Sequence, residues 1–306
     1  MSGKPLMAIE LKKILDGAQL PALPQSAIRL LELSQDAANG PAEFAVPIES
    51  DPGLAGQVLR FVNSSYFGFA KEISSVKLAI TLVGVRTIKN FALWSAVFSL
   101  MPNPKCGPFD LRSLWQDSLR RALFARAAAR ILGVKEVEEA FSAALLQDMA
   151  VPLLAKELPD VYTKLLGARD NGRLRLSALE RSAFGWSHAE AAAIMARQWN
   201  LPEDFANLIE KHLQVPNDRG QQPRDARVTA VAMSALLPTV ADPVWSECSH
   251  LEGCYDNVRP AGSIALPELL AGLDREVAQF APVLKISMPA KSLADSYAEA
   301  NAVTAS

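Results

Sequence analysis

Cysteine is scarce in this chain: Cys106, Cys248 and Cys254 are all that 306 residues contain. Three thiols cannot form a disulfide framework for a protein of this size, so a buried core must hold the fold. Long apolar runs are also missing. The longest, FALWSAVFSLM from Phe91 to Met101, is too short to span a bilayer. No charged segment leading into an apolar stretch opens the chain, so a cytoplasmic protein without a membrane partner is expected. Nor is there an excess of either charge. Thirty-one Lys and Arg face 33 Asp and Glu, for a formal net charge of -2. That balance argues against general polyanion binding, and nucleic acid is not expected as a partner. Aromatic residues make up only 7%, and β-branched runs and strand-like alternation are both lacking.

What the chain does have is helical patterning. Half of its residues are apolar, and they recur at three- and four-residue steps almost throughout, which predicts an all-α protein. In SDPGLAGQVLRFVNSSYFG, Asp51 suits an N-cap and Pro52 the first helical position. Leu54, Val58, Phe61 and Val62 form the apolar stripe of that helix, and Gly68 lies beyond its end. SSVKLAITLVGVRTIKNFALWSAVFSLM predicts two helices meeting near Gly84. The Pro-rich MPNPKCGPFD then separates an N-terminal helical bundle (1–104) from a second bundle with a C-terminal extension (105–306). In the second bundle SLWQDSLRRALFARAAARIL, EEAFSAALLQDMAVPLLAKEL and SALERSAFGWSHAEAAAIMARQW each read as one long helix. Residues 216–227 read as a polar loop, and the small polar residues from about Ser287 as a frayed end.

Several features invite a chemical reading. ECSHLEGC offers Cys248, His250 and Cys254, one ligand short of a zinc set and without a paired CxxC, and reads as a loop with free thiols. Cys106 has no visible His partner for nucleophilic catalysis. The helices around Gly84 resemble a helix-turn-helix carrying Arg86, Lys89 and Asn90. The apolar continuation of the second helix favours a buried bundle corner. Arg120, Arg121, Arg126 and Arg130 crowd one helix and read as a solvated, internally paired face, with a phosphate-binding stripe as the sharper alternative. Asn63, Ser64 and Tyr66 close the helix begun at Asp51. They read first as satisfying its last carbonyls and packing under the next loop, and second as a candidate partner surface. The most specific signals are Asp117, Asp148, His188 and His212. Each falls on a predicted helix, and helical proteins build metal sites by converging such residues in a core. Within AALLQDMAVPLLA a lone carboxylate among apolar neighbours needs a partner.

From about Leu20 to Leu213 the chain resembles the HDOD family, the HD-related output domains of bacterial signalling. The resemblance is carried by LPALPQSAIRLLELS, by ESDPGLAGQVLRFVNSSYFGFAKEISSVKLAITLVGVRTIKNFAL, by LLQDM and by FGWSHAEAAAIMARQWNLP. It implies an all-helical fold similar to the HD phosphohydrolases, and a non-catalytic output or scaffold acting through a protein partner. In active relatives the LLQD position reads His-Asp, and the pair binds metal. Here Gln147, a neutral amide and a poor transition-metal ligand, replaces the imidazole. Asp117 stands about where the first His is expected, and Met233 where the pattern ends in Asp. His188 and His212 match positions where the superfamily places histidines. The resemblance therefore implies a vestigial pocket of Asp117, Gln147, Asp148, His188, His212 and Met233, with no metal, no cofactor and no hydrolysis. Asp148 is expected to bond a neighbouring His. The rival expectations are a residual metal-dependent phosphohydrolase and a DNA-binding regulator.

Overall fold

The computed structural model of the protein describes residues 10–18, 20–34, 36, 38–65, 67–215, 225–283 and 286–304. Every regular element among them is a helix. The first group comprises α1 (Leu11–Gly17), α2 (Gln25–Leu33), α3 (Pro41–Glu49), α4 (Pro52–Val62), α5 (Val76–Val83) and α6 (Val85–Leu100). Local chemistry sets its boundaries. Asp51 accepts the Leu54 N–H at 3.0 Å and Pro52 follows it, so α4 begins where a side chain can satisfy an orphan donor. Its other carboxylate oxygen takes the Ser26 hydroxyl of α2 at 3.0 Å. Between α5 and α6 the chain turns at Gly84, whose φ of 97° would strain any side chain. Asn63 ends α4 by donating to the carbonyls of Leu59 (3.0 Å) and Ile73 (2.8 Å). It also accepts the Ile73 N–H at 2.7 Å, which fastens the α4–α5 connection. Ser64 makes no such bond to a carbonyl; its hydroxyl is buried without a partner among the described residues. Tyr66 lies outside the described residues.

The second group is built around α7 (Leu111–Ile131), a 21-residue helix started by Asp110, which accepts the Ser113 N–H at 2.9 Å. After it come α8 (Val137–Leu146), α9 (Ala150–Glu157), α10 (Pro159–Gly167), α11 (Leu176–Phe184), α12 (His188–Gln198) and α13 (Glu203–Glu210). The chain ends with α14 (Ala226–Ser234), α15 (Cys248–Val258), α16 (Leu266–Val283) and α17 (Leu293–Thr304). Helix α7 packs against α8, α14 and α16. One continuous apolar core runs from Leu15 through Leu293 and joins both groups. The Trp199 indole, at the C-cap of α12, donates to Pro21 O at 3.0 Å and adds a polar tie between them.

Four expectations from the sequence need correcting. The segment 137–157 is two helices, because Pro152 has no N–H to give the Asp148 carbonyl and the helix must restart. Gln147, Asp148 and Met149 form the turn between them. The segment 176–198 is also two helices. Gly185 takes a left-handed conformation (φ 84°), and Ser187 with Glu190 forms a capping box that opens α12. The ECSHLEGC segment is the start of α15 rather than a loop, with Cys248 and Cys254 buried. The end of the chain is helical through Thr304. Asp274 of α16 accepts the Leu293 and Ala294 N–H groups at 2.9 and 3.0 Å, and so caps α17 from a neighbouring helix. Of the loop expected at 216–227, residues 216–224 lie outside the described residues. Asp225 already caps α14 through the Arg227 N–H at 2.9 Å.

Candidate functional site

The arginine run on α7 is not the solvated face its spacing suggests. Arg130 is exposed, but Arg120 and Arg126 are buried and Arg121 nearly so. Arg120 donates to the Lys291 carbonyl. Arg126 pairs with Glu276 at 2.6 Å while its guanidinium sits over the rings of Phe141 and Phe280. Arg121 turns inward and donates to Asp148 Oδ2. A helix in the middle of a bundle buries most of its faces, so its buried cations must find acceptors on neighbouring elements, a carbonyl for Arg120 and carboxylates for Arg121 and Arg126.

Asp148 sits in the turn between α8 and α9, where two other side chains reach it. His188 Nε2 lies 3.2 Å from Asp148 Oδ1 and His212 Nε2 lies 3.7 Å from the same oxygen. The three side chains come from three places: the α8–α9 turn, the first residue of α12, and the turn just after α13. Of the four most specific candidates, Asp117 lies within a helix, His188 opens one, and Asp148 and His212 lie in turns. Helix ends can aim a side chain at one point without the register constraint of a helix interior, which is how these three converge.

Each histidine has its outer nitrogen fixed. Glu180, fully buried on α11, accepts the His188 Nδ1–H at 2.6 Å and the His188 backbone N–H at 2.9 Å. Its other oxygen accepts the Tyr162 hydroxyl at 2.7 Å. His212 donates Nδ1–H to Ile209 O at 2.6 Å, which leaves Nε2 as a bare lone pair with no partner among the described residues. A chain of alternating charge results, running from Glu180 to His188, Asp148 and Arg121.

Electrostatics follow that chain. Burial disfavours a charged His188, but Glu180 and Asp148 outweigh it and hold the ring protonated, with its pKa raised to about 10. Burial and the nearby histidinium, only partly offset by Asp148, push His212 down to about 3, so it is neutral. Burial also opposes charge on Asp148. Arg121 and the His188 imidazolium overcome that and hold the carboxyl well below the usual range. Asp117, one turn before Arg121, is raised to about 7 by burial despite the nearby arginines and the Val240 N–H it accepts at 2.8 Å.

The cluster forms one wall of a cavity of about 160 Å³. Asp117, Arg121, Gln147, Asp148, His188 and His212 all line it, so the structure brings together five of the six residues expected in the pocket along with Arg121. Met233 is the exception: it is fully buried in the core and does not line the cavity. Its neighbour Ser234 approaches Gln147 Oε1 at 3.4 Å, although its hydroxyl proton goes to Val231 O at 2.6 Å. The other arginines at the cavity are neutralised in place, Arg169 by Asp242 and Arg175 by Glu247.

Asp148, His188 and His212 each offer an atom within 4.8 Å of the others, a grouping that could hold a metal ion. As arranged, the donor set does not fit one. Asp148 is bonded to a guanidinium, and both nitrogens of His188 carry protons directed at carboxylates. Only the His212 lone pair is free, whereas a protein zinc site draws on three or four ligands.

Two members of this network escaped the sequence reading. Glu180 occupies the buried stripe of α11 with Ser177, Ala183 and Phe184. A carboxylate on an apolar stripe is the same signal that singled out Asp148. Arg121, read from the sequence only as one of four arginines on a solvated face, lies one turn from Asp117 on α7, a spacing it shares with Arg120.

Residues 20–215 match the family model of the HDOD domain. A solved HDOD domain protein of unknown function from Geobacter sulfurreducens is 21% identical and superposes with a TM-score of 0.70. The match covers 90% of this chain and 96% of that one. A Shewanella amazonensis protein provisionally described as a phosphohydrolase is 22% identical with a TM-score of 0.67, over 89% and 97% of the two chains. A Marinobacter aquaeolei protein provisionally described in signal transduction is 21% identical with a TM-score of 0.62, over 94% of this chain and 61% of that one. An uncharacterised protein of Treponema pallidum is 24% identical over 199 residues, which span 64% of this chain but only 38% of that relative.

Proposed function

The chain belongs to the HDOD family, and we propose that it is a non-catalytic signalling output or scaffold whose partner is a protein. On this reading, residues 1–104 and 105–306 form two bundles packed on one core, and the cavity at Asp148 is a vestigial site. The observation that carries the reading is the Arg121–Asp148 ion pair. Metal-assisted hydrolysis needs an ion that lowers the pKa of bound water and neutralises phosphate charge. In this chain a guanidinium already holds the carboxylate that would bind the ion.

The rival, a metal-dependent phosphohydrolase, draws on the Asp148, His188 and His212 grouping and on the name of the Shewanella amazonensis relative. Engagement of both His188 nitrogens and the neutral amide at Gln147 weigh against it. A DNA-binding role for the helices at Gly84 finds less support. Helix α6 buries Ile88 and Asn90 through Val97, and Arg86 faces Glu136 and Glu139 at 3.8 and 4.0 Å. Among the described residues no helix is long and apolar enough to cross a membrane.

The test is turnover. The protein incubated with Mn²⁺, Mg²⁺ or Zn²⁺ should leave cyclic dinucleotides and nucleoside monophosphates intact. Hydrolysis that is lost in His188→Ala would reverse the assignment to enzyme.

A further inference from the structure

Lys89 and Asn90, which stand out in the sequence near Gly84, take no part in the network at Asp148. Both line a separate cavity of about 70 Å³ at the seam between the two helical groups, and none of its lining residues lines the cavity at Asp148. Its apolar walls are Leu31 of α2, Leu93 and Val97 of α6, Leu146 of α8, and Phe205 and Leu208 of α13. Lys89, Leu93 and Val97 follow one another at four-residue steps. One face of α6 therefore carries an ammonium at the N-terminal end of an apolar stripe, with the lysine stem continuing that stripe.

The charges at the rim are unevenly matched. Glu139 is held by Arg227 at 2.8 Å and lies 4.0 Å from Arg86, and Asp204 faces Arg227 at 3.6 Å. Lys89 makes no ion pair or hydrogen bond among the described residues. Burial and the neighbouring Arg86 pull its amine below the ordinary lysine value, against the attraction of Glu139. Asn90, 8% exposed, donates one Nδ2–H to Glu138 O at 3.1 Å, which fixes the amide and leaves its second N–H without an acceptor among the described residues. A cation and an N–H donor beside an apolar slot suit an anion with an apolar tail. An amine would find both rim carboxylates already paired. A phosphate dianion would need more donors and would meet Glu139 and Asp204. The volume suits about five to seven non-hydrogen atoms.

We infer that this cavity binds a short-chain monocarboxylate of about four to six carbons, its tail among the leucines and its carboxylate on the Lys89 ammonium and the Asn90 amide. Such a ligand touches α2 and α6 from the first group and α8 and α13 from the second, so its binding ties the groups together. It gives the protein a small-molecule input, and neither this inference nor the protein-partner reading depends on the other.

The experiment measures pentanoate binding by calorimetry and thermal melting, with acetate and pentylamine as comparisons. Pentanoate should bind at about one equivalent and raise the melting temperature. Acetate, three methylenes shorter, should bind about fiftyfold more weakly, and pentylamine should not bind. Lys89→Met keeps the stem and strands no partner charge, so it should melt as wild type does and bind pentanoate about tenfold more weakly or worse. In methyl NMR spectra, pentanoate should move the signals of Leu31, Leu93 and Leu208. Absence of pentanoate binding overturns the inference, as does equal binding of acetate or pentylamine. So does unchanged affinity in Lys89→Met. If that variant does not fold, the wild-type methyl spectra decide, and shifts confined to leucines outside the cavity overturn the inference.

Discussion

Among the described residues up to 104, no charged side chain is fully buried; Asn90 and Ser95 are the buried polar residues there. Beyond residue 104 the core encloses Asp117, Arg120, Arg126, Asp148, Glu180, His188 and His212. The two regions share a fold and a continuous apolar core but are held together differently. In the first, local side-chain bonds such as the Asn63 clamp on Ile73 and the Asp51 cap lock the backbone, and the interior is apolar. In the second, four elements (α7, the α8–α9 turn, α11 and α12) contribute charges that satisfy one another. Neutral contacts fail one at a time. A buried ion network fails as a unit, because removing any member leaves its neighbour as an uncompensated charge.

The largest effect expected from this difference is at Asp148. Asp148→Ala leaves Arg121 and protonated His188 facing each other and should destabilise the protein by about 3–5 kcal/mol, measured by urea unfolding. The double variant Arg121→Leu, Asp148→Leu should lose less than the sum of the two single changes. If it loses the full sum, the pair is not coupled and the contrast between regions disappears.

The next effect appears with pH. His188 is held at about 10 in the folded protein against an ordinary value of 6.5, so its protonation contributes stability that is fully present below pH 6.5. That contribution fades as pH rises and is gone above about 10. The urea midpoint should fall across that window, and His188→Gln should flatten the fall. In ring NMR spectra of the wild type, His212 should remain neutral from pH 6.5 down towards 3. Two histidines titrating together near 6.5 would mean the alternating charges are not in place.

The smallest effect is in the first region. Asn63→Ala removes the clamp on Ile73 and should cost about 1–3 kcal/mol, with no change in the pH profile above neutrality. A larger loss, or one that depends on pH between 7 and 10, would show that this clamp communicates with the charged network.

Much of the fold could be read directly from residues that act on their close neighbours. Asp51 and Pro52 marked the start of α4, and Gly84 marked the α5–α6 corner. The helical period alone specified an all-α chain. Asp148 stood out as a carboxylate among apolar neighbours, while His188 and His212 stood out as two of the chain's three histidines, on predicted helices and at positions the family resemblance implies. The turns at 147–149 and 185–187 were missed because apolar spacing runs unbroken across them. The restart depends on Pro152 in one case and on the left-handed Gly185 in the other.

The sequence by itself determined that the chain is all-helical and where helices such as α4 begin, because caps, prolines and periodicity act within about four residues. Only the tertiary structure decided what the buried polar residues hold. Asp148 finds its cation 27 positions away, in an arginine that looked like one of four on a solvated face. His188 finds its carboxylate eight positions back, across a helix boundary. Such partners are set by how helix ends meet in the core, and the penalty for an unpaired buried charge then selects the one arrangement that neutralises them all.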